Sequence, residues 1–145
     1  MSPDTRPAMI ADIPAMHALR LGVRENRLSD PGRVTEAEYR PYVTAGGAWV
    51  ADVEGRLAGF AIIDLGTRSV WALFVAPEAE GQGIGRALHD HLLARAAAQG
   101  VNRLSLSTAP GTRAASFYRD AGWIETGVTA EGELRFERDT GLPDS

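Results

Sequence analysis

A chain of 145 residues, of which 44% are hydrophobic and 23% charged, has the size and composition of one soluble globular domain. Its net charge of −4 disfavours nucleic-acid binding, and the absence of cysteine excludes disulfides, thiolate metal sites and a cysteine nucleophile. Because no stretch could span a membrane and the start lacks a secretion signal, we expect a cytoplasmic protein without membrane contacts.

The first part of the chain predicts one strand and two helices. Residues 6–10 are expected to form a short strand, and Asp12 is placed to cap a helix over residues 13–23. The capping-box pattern of residues 35–38 predicts a second, short helix. Pro41 should end that helix, because proline lacks the N–H group that a helix interior needs.

The middle of the chain predicts a hairpin followed by a central strand. Strand-like runs over residues 48–53 and 57–65 are joined by a Glu-Gly-Arg turn. Residues 69–75 form an apolar run of strand length. Pro77 should then stop the pairing, because it cannot donate to the ladder of a sheet.

The rest of the chain predicts two helices and three strands. The first helix covers residues 86–99 and should bury the face on which Leu88, Leu92 and Ala96 recur. The remaining predicted elements are a strand over residues 103–107, a helix that Thr112 caps, and strands over residues 123–128 and 133–138.

Together these elements predict an α/β fold with a single mixed sheet. Strands joined by short turns pair antiparallel, so the early strands should form an antiparallel meander. A helix between two strands makes a crossover, so the central strands should be parallel and flanked by helices. We expect the domain to cover residues 1–139, with residues 140–145 as a disordered tail.

Three alternating glycines, Gly81, Gly83 and Gly85, lie between the central strand and the long helix. The first N–H groups of a helix lack partners within it, and their dipoles favour an anion such as a pyrophosphate. Glycine lets that anion reach the backbone without meeting a Cβ atom. The alternative is a tight strand-to-helix connection in which glycine serves the backbone geometry alone.

Two common phosphate-binding patterns fail at this turn. The dinucleotide pattern G-x-G-x-x-G/A would end on Arg86 or Leu88, and the P-loop pattern lacks its Gly-Lys-Ser/Thr ending. The turn instead resembles the Gln/Arg-x-x-Gly-x-Gly/Ala motif by which GNAT-type N-acetyltransferases bind acetyl-coenzyme A. Glu80 stands where that family usually has Gln or Arg, and a carboxylate there is expected to repel a pyrophosphate.

A second stretch, residues 114–123, resembles the late helix of the same family, which usually ends Tyr-x-x-x-Gly-Phe. Tyr118 matches the tyrosine, and Gly122-Trp123 matches the Gly-Phe pair. Gly111 stands where family members often carry an Asn, which removes one side chain that could position the cofactor. The resemblance is specific over residues 70–126, and it implies the same α/β layered fold.

The resemblance also implies a set of site residues for acetyl-coenzyme A. Backbone groups of the central strand would hold the pantetheine arm and polarise the carbonyl, the glycine turn would hold the pyrophosphate, and Tyr118 would protonate the departing thiolate. The alternative for Tyr118 is a packing aromatic. The implied cofactor-binding residues are Leu73, Phe74, Val75, Gly81, Gln82, Gly83, Ile84, Gly85 and Arg86.

The group that takes the proton from the amine is not identified by any motif. Asp64, near the end of its predicted strand, is the first candidate, and Glu25 or a chain of waters are alternatives. An exposed strand-end carboxylate is the competing interpretation of Asp64.

Three arginines recur at helical spacing near the first helix: Arg20, Arg24 and Arg27. They form either a site for a substrate carboxylate or phosphate or a solvated basic face.

The histidines carry less information. His89 and His91 point to different helix faces and are expected at the surface, where they cannot readily share a metal ion, and His17 shows no pattern.

We therefore expect an N-acetyltransferase that moves the acetyl group of acetyl-coenzyme A directly to an amine, in a small molecule or a peptide, without a metal. The alternative is a non-catalytic domain that binds or senses acyl-coenzyme A. The acceptor amine cannot be identified from the sequence. A homodimer is compatible with the sequence, which does not decide the oligomeric state.

Overall fold

Seven strands form one sheet, with helices packed on both of its faces. The computed structural model describes residues 4–23 and 35–141. The strands are β1 (Asp4–Pro7), β2 (Ala48–Val53), β3 (Arg56–Asp64), β4 (Ser69–Val75), β5 (Arg103–Thr108), β6 (Ile124–Val128) and β7 (Leu134–Asp139). The helices are α1 (Ile13–Val23), α2 (Arg40–Thr44), α3 (Ile84–Ala98) and α4 (Arg113–Asp120).

The sheet has the order β1-β2-β3-β4-β5-β7-β6 and is mixed, as the sequence predicts. Strands β1 to β4 pair antiparallel in succession, β4 and β5 are parallel, and β5, β7 and β6 are again antiparallel. The parallel pair is the place where helix α3 crosses over the sheet, because a crossover returns the chain in the same direction. The predicted antiparallel meander and the central parallel strands are confirmed.

Strands β4 and β5 are joined only at one end. In the described part of the chain their register consists of Ser69 opposite Ser105, supported by a 3.0 Å hydrogen bond from the Ser105 amide to the Arg68 carbonyl. On its other side β4 pairs with β3 from Ser69 to Val75. The two parallel strands therefore separate after Ser69, and the edge of β4 that faces β5 has backbone groups without a ladder partner.

Two hydrophobic clusters hold the helices to the two faces of the sheet. On one face, α3 buries the predicted stripe of Leu88, Leu92 and Ala96, each with 0% of its surface exposed. On the other face, Met16 of α1 and Tyr39 pack with residues of β2 and β3. Each fully buried side chain of this size stabilises the fold by about 1.5–3 kcal/mol, so both layers are fixed to the sheet.

The bounds of several elements agree with the sequence, and two helix starts differ. Strands β2 and β4 and helix α1 have the predicted bounds. Helix α3 begins at Ile84 rather than at residue 86, because Gly83 adopts a left-handed φ of 81° and takes the N-cap position. Pro41 does not end a helix but lies in the first turn of α2, where its missing N–H costs nothing.

The start of the chain also differs from the prediction. Strand β1 ends at Pro7 rather than at residue 10, because Ile10–Asp12 forms a 3₁₀ turn that leads into α1. Asp12 caps this turn instead of α1: its Oδ2 accepts a 2.7 Å hydrogen bond from the Met9 amide. The Arg6 guanidinium bonds both oxygens of the same carboxylate and lowers its pKa.

The end of the described chain is held more firmly than expected. The Thr140 amide and hydroxyl donate hydrogen bonds of 3.0 and 2.8 Å to the carbonyls of Asn102 and Val101. Residues 142–145 of the predicted tail lie outside the described residues, as do Arg24, Glu25 and Arg27.

Candidate active site

A cavity of about 550 Å³ opens where β4 and β5 separate. One wall is β4, and the opposite wall is the end of β5. The glycine turn, the start of α3 and helix α4 line the cavity on one face of the sheet, whereas α1 lines it on the other. The gap between the strands thus connects the two faces, so that two ligands entering from opposite sides could meet inside it.

The glycine turn presents open space above its backbone. Gly81 and Gly83 have φ angles of 83° and 81°, and a Cβ atom added to either would find nothing within 4 Å. Gly85 is different, since an added Cβ would lie 3.4 Å from the Phe117 ring and 3.5 Å from the Val75 side chain. The first N–H groups of α3, which have no partner within the helix, therefore lie beside the cavity next to two glycines that add no Cβ atom.

Tyr118 is one of the two buried residues of α4. It is 6% exposed and packs edge to face on Phe117 and Trp123, with ring centroids 5.4 and 5.5 Å away. Within the described residues its hydroxyl has no hydrogen-bond partner, and burial raises the pKa of this hydroxyl. The hydroxyl is therefore neutral at pH 7, and its proton is available to a base formed in the cavity.

Three residues of α1 line the opposite end of the cavity, and two of them, His17 and Arg20, are polar and one helical turn apart. His17 shares a 3.1 Å hydrogen bond through its Nδ1 with the Tyr39 hydroxyl, and its ring meets the Tyr39 ring edge to face. Arg20 lies with its guanidinium carbon 4.8 Å from the centre of the Trp71 ring and 5.3 Å from that of Phe74. The sequence offered Arg20 as one member of a basic face but gave no reason to select His17.

The side chain of Glu80 is tied across the turn to α4. The Arg113 guanidinium bonds both carboxylate oxygens of Glu80, at 2.5 and 2.7 Å. The expected repulsion between Glu80 and a pyrophosphate is therefore largely offset by a neighbouring cation. The partners are 33 positions apart in the chain, so no local spacing rule could have predicted this pair.

All but one of the predicted cofactor-binding residues line this cavity, and they do so together with Tyr118. The exception is Gln82, which is exposed beside it. Asp64 also lies outside the lining: it is the last residue of β3 and pairs with Ser69 at the start of β4. There it accepts 3.1 Å hydrogen bonds from the Tyr42 hydroxyl and the Thr67 amide. Asp64 and Tyr118 are not brought together, and we assign Asp64 no catalytic role.

The prediction of a surface position is wrong for His89. This side chain is fully buried, and its Nε2 accepts a 2.9 Å hydrogen bond from the Trp123 indole N–H. A buried indole N–H needs an acceptor, so a tryptophan at position 123 calls for a partner such as His89. Burial lowers the pKa of His89, which keeps the ring neutral and able to accept this bond.

Two kinds of feature are absent from residues 4–23 and 35–141. No group of three or more His, Asp or Glu side chains in this part of the chain is placed to hold a metal ion. None of its helices combines the length and the apolar character that crossing a bilayer requires.

A family model described as the acetyltransferase (GNAT) family matches residues 15–123. The chain belongs to this family. Acetyl transfer is thus the general kind of reaction of the family, and the resemblance seen in the sequence is confirmed. A comparison with curated proteins found no match.

Solved structures share the GNAT fold over nearly the whole chain. Ard1 from Thermoplasma volcanium is 17% identical, with 96% of this chain and 98% of that chain covered and a TM-score of 0.80. The ribosomal-protein-S18-alanine N-acetyltransferase from Escherichia coli is 20% identical, with 98% and 96% covered and a TM-score of 0.73. PaiA N-acetyltransferase from Thermoplasma acidophilum, solved in complex with coenzyme A, is 15% identical, with 96% and 99% covered and a TM-score of 0.77. At these identities the similarity establishes the fold.

The backbone conformation at Gly111 bears on one departure from the GNAT motifs. Gly111, where the family often has Asn, has a φ of 75°, and an added Cβ would meet nothing within 4 Å. Asn is among the few other residues that adopt this left-handed conformation readily. The loop shape that an Asn would support is therefore kept, and only its side chain is lost.

The Glu80–Arg113 pair leads to a testable expectation for cofactor affinity. Arg113→Gln should weaken acetyl-coenzyme A binding about two- to fivefold, because it frees the turn from α4 and leaves the Glu80 carboxylate unbalanced beside the pyrophosphate site. Calorimetry at low and high salt measures this effect, which should shrink as salt is raised.

The control for this variant is Arg119→Gln on the same helix. Arg119 pairs with Glu125 at 3.0 Å and does not line the cavity, so its removal should leave the affinity unchanged. Equal affinity of Arg113→Gln and the unmodified protein at both salt concentrations would show that the pair has no part in binding.

Proposed function

We propose that this protein is an N-acetyltransferase that moves the acetyl group of acetyl-coenzyme A directly to an amine. One observation carries the proposal: the gap between β4 and β5 joins the open glycine turn, the unpaired edge of β4 and the Tyr118 hydroxyl in one cavity. Acetyl-coenzyme A would use them in this order: the glycine turn for its pyrophosphate, the β4 edge for its pantetheine arm and Tyr118 for its thioester.

The fit of acetyl-coenzyme A rests mainly on backbone groups of the chain. The N–H groups at the start of α3 are directed at the pyrophosphate, and the turn from Gly81 to Arg86 leaves room for it. The unpaired N–H and C=O groups of β4 around Leu73, Phe74 and Val75 suit the amides of the pantetheine arm. An N–H of this edge can also stabilise the negative charge that develops on the thioester oxygen.

Tyr118 is proposed to supply the proton that the reaction needs at sulfur. The amine nitrogen forms a bond to the carbonyl carbon, the carbon–sulfur bond breaks, and the thiolate takes the proton of the Tyr118 hydroxyl. A neutral amine nitrogen loses one proton as the amide forms, and an ammonium must lose another proton to solvent before it can attack. From the neutral amine the products are an amide and a free thiol, and the proton lost by nitrogen replaces, through solvent, the one that Tyr118 gave to sulfur.

His17 is proposed to accept the proton of the amine, directly or through one water. A lysine-like amine with a pKa of about 10.4 is neutral in roughly one molecule in a few thousand at pH 7, so removing its proton is part of the work. His17 lines the acceptor end of the cavity, and its Nδ1 bond to Tyr39 leaves the other ring nitrogen for this role. Glu133 also lines the cavity, but its Oε1 already accepts a 3.2 Å hydrogen bond from Ser107.

The role of His17 is tested by a pair of substitutions. His17→Gln is expected to lower kcat/KM about 10- to 100-fold, because the proposed proton acceptor is gone. Glu133→Gln, at the other side of the cavity, should keep kcat/KM near that of the unmodified protein. The assignment fails if His17→Gln keeps a near-normal kcat/KM or if Glu133→Gln loses as much.

The function itself is tested by following thiol release from acetyl-coenzyme A with a panel of amines, amino acids and peptide N-termini. Release that depends on the amine establishes the transferase. Binding of acetyl-coenzyme A without such release, for every member of the panel, would instead indicate the non-catalytic binding or sensing domain.

A further inference from the structure

Arg20 is placed in the acceptor end of the cavity with part of its hydrogen-bonding capacity unused. Its Nη1 is buried, and within residues 4–23 and 35–141 it has no hydrogen-bond partner. None of the described carboxylates lies within 4.0 Å of this guanidinium. A buried cationic donor without an acceptor is costly, so the site is suited to an anionic group that is not part of the described chain.

The surroundings of Arg20 fix its guanidinium rather than neutralise it. Trp71 and Phe74 lie under the guanidinium at 4.8 and 5.3 Å, distances at which an aromatic face attracts a cation. The Tyr39 hydroxyl lies beside the guanidinium. Burial raises the pKa of this hydroxyl, and the nearby Arg20 charge partly opposes that rise. These contacts orient the planar group, and an oriented guanidinium binds a carboxylate or phosphate with little further loss of entropy.

The location of Arg20 separates this anion from the cofactor. Arg20 belongs to α1, on the face of the sheet opposite to the glycine turn and α3. His17, the proposed proton acceptor, precedes it by one helical turn and lines the same end of the cavity. A group held by Arg20 would therefore belong to the acceptor molecule, whose amine faces His17.

We propose that the acceptor is an amine that also carries an oxyanion, a carboxylate or a phosphate, and that Arg20 binds this group. The inference rests on the proposed transferase activity and adds the chemical class of the acceptor. Arg20 is thereby a specificity-determining residue: it selects among amines, while the transfer is carried out by the groups around the thioester.

Matched pairs of amines test this inference. The first arm compares L-amino acids with their carboxamides, which differ in the carboxylate charge. The second arm compares phosphoethanolamine with ethanolamine. The anionic member of at least one pair is expected to have a kcat/KM about 10- to 100-fold above that of its neutral partner, since a hydrogen-bonded ion pair of this kind changes binding by that factor. The arm with the larger ratio identifies the oxyanion.

Two variants then assign the preference to Arg20. In Arg20→Gln the ratio within the preferred pair should fall towards one, mainly through KM, and Arg20→Lys should restore part of it. Arg95→Gln is the matched control, because Arg95 also has a buried nitrogen without a partner among the described residues but does not line the cavity. It should keep the ratio. A ratio that stays high in Arg20→Gln, or that falls equally in Arg95→Gln, overturns the inference.

Binding measurements keep this test separate from that of the transferase activity. If no amine in either arm is acetylated, the proposed function fails. The preference for an oxyanion can still be measured, by calorimetry of the same pairs of amines binding to the protein with coenzyme A bound. Preferential binding of anionic members that Arg20→Gln abolishes supports the inference. Equal binding within the pairs, or no binding of any anionic member, contradicts it.

Discussion

Replacing Gly83 by valine is expected to weaken acetyl-coenzyme A binding by about 100-fold or more while the protein stays folded. Gly83 has a φ of 81°, a conformation that valine can hardly adopt, so the turn must take another shape. The N–H groups at the start of α3 then lose their alignment with the pyrophosphate. Charge-assisted hydrogen bonds of this kind contribute about 1.5–3 kcal/mol each, so losing one or two gives the expected factor. Calorimetry measures the affinity.

Gly100→Val is the control for this experiment. Gly100 follows the other end of α3, has a φ of 79°, and leaves an added Cβ with nothing within 4 Å. The two substitutions therefore strain the backbone of one helix to a similar extent, and urea unfolding should show similar losses of stability. Only Gly83→Val should lose affinity. If both variants bind acetyl-coenzyme A equally well, the glycine turn does not hold the pyrophosphate.

Replacing Tyr118 by phenylalanine is expected to lower turnover by about 10² or more with little change in acetyl-coenzyme A affinity. The substitution keeps the ring and its contacts with Phe117 and Trp123 but deletes the proton that the thiolate needs. The described residues offer no hydrogen bond to this hydroxyl, so its loss breaks no structural bond and stability should hardly change. Single-turnover kinetics with the thiol as the signal separate the transfer step from product release.

Tyr42→Phe makes the same chemical change outside the cavity. Tyr42 donates a 3.1 Å hydrogen bond to Asp64, and its pKa is raised to about 12 by burial and by that carboxylate. Turnover of this variant should stay near that of the unmodified protein. Near-normal turnover of Tyr118→Phe would assign Tyr118 to packing and leave the protonation of the thiolate to solvent.

The sequence predicted the glycine-turn end of the cavity lining better than the α1 end. Gly81, Gly83 and Gly85 lie next to the central strand in the chain, so a local pattern of strand, turn and helix contains most of the geometry. The α1 end is assembled from α1, β4 and β5, which are far apart in the chain. Periodicity placed Arg20 on α1, but it could not show that Trp71 and Phe74 lie under it.

Side-chain partners across the fold were likewise beyond the reach of local patterns. His89 was expected at the surface because it and His91 point to different helix faces, yet the Trp123 indole bonds to it in the core. Glu80 was expected to repel the pyrophosphate because of its charge. Its partner Arg113 is 33 residues away in the chain, so no local pattern could reveal the pair. Asp64 was considered as a base from its place at a strand end, and only the register of β3 with β4 shows where that end lies.

The sequence by itself determined the order of the strands and helices along the chain, the buried stripe of α3 and the glycine turn at the start of that helix. Each of these depends on residues within one or two turns of one another, where backbone preference and hydrophobic spacing act directly. The tertiary structure decided which side chains share the cavity. That outcome depends on where β4 and β5 stop pairing and on which helix covers each face, and both follow from packing between distant segments.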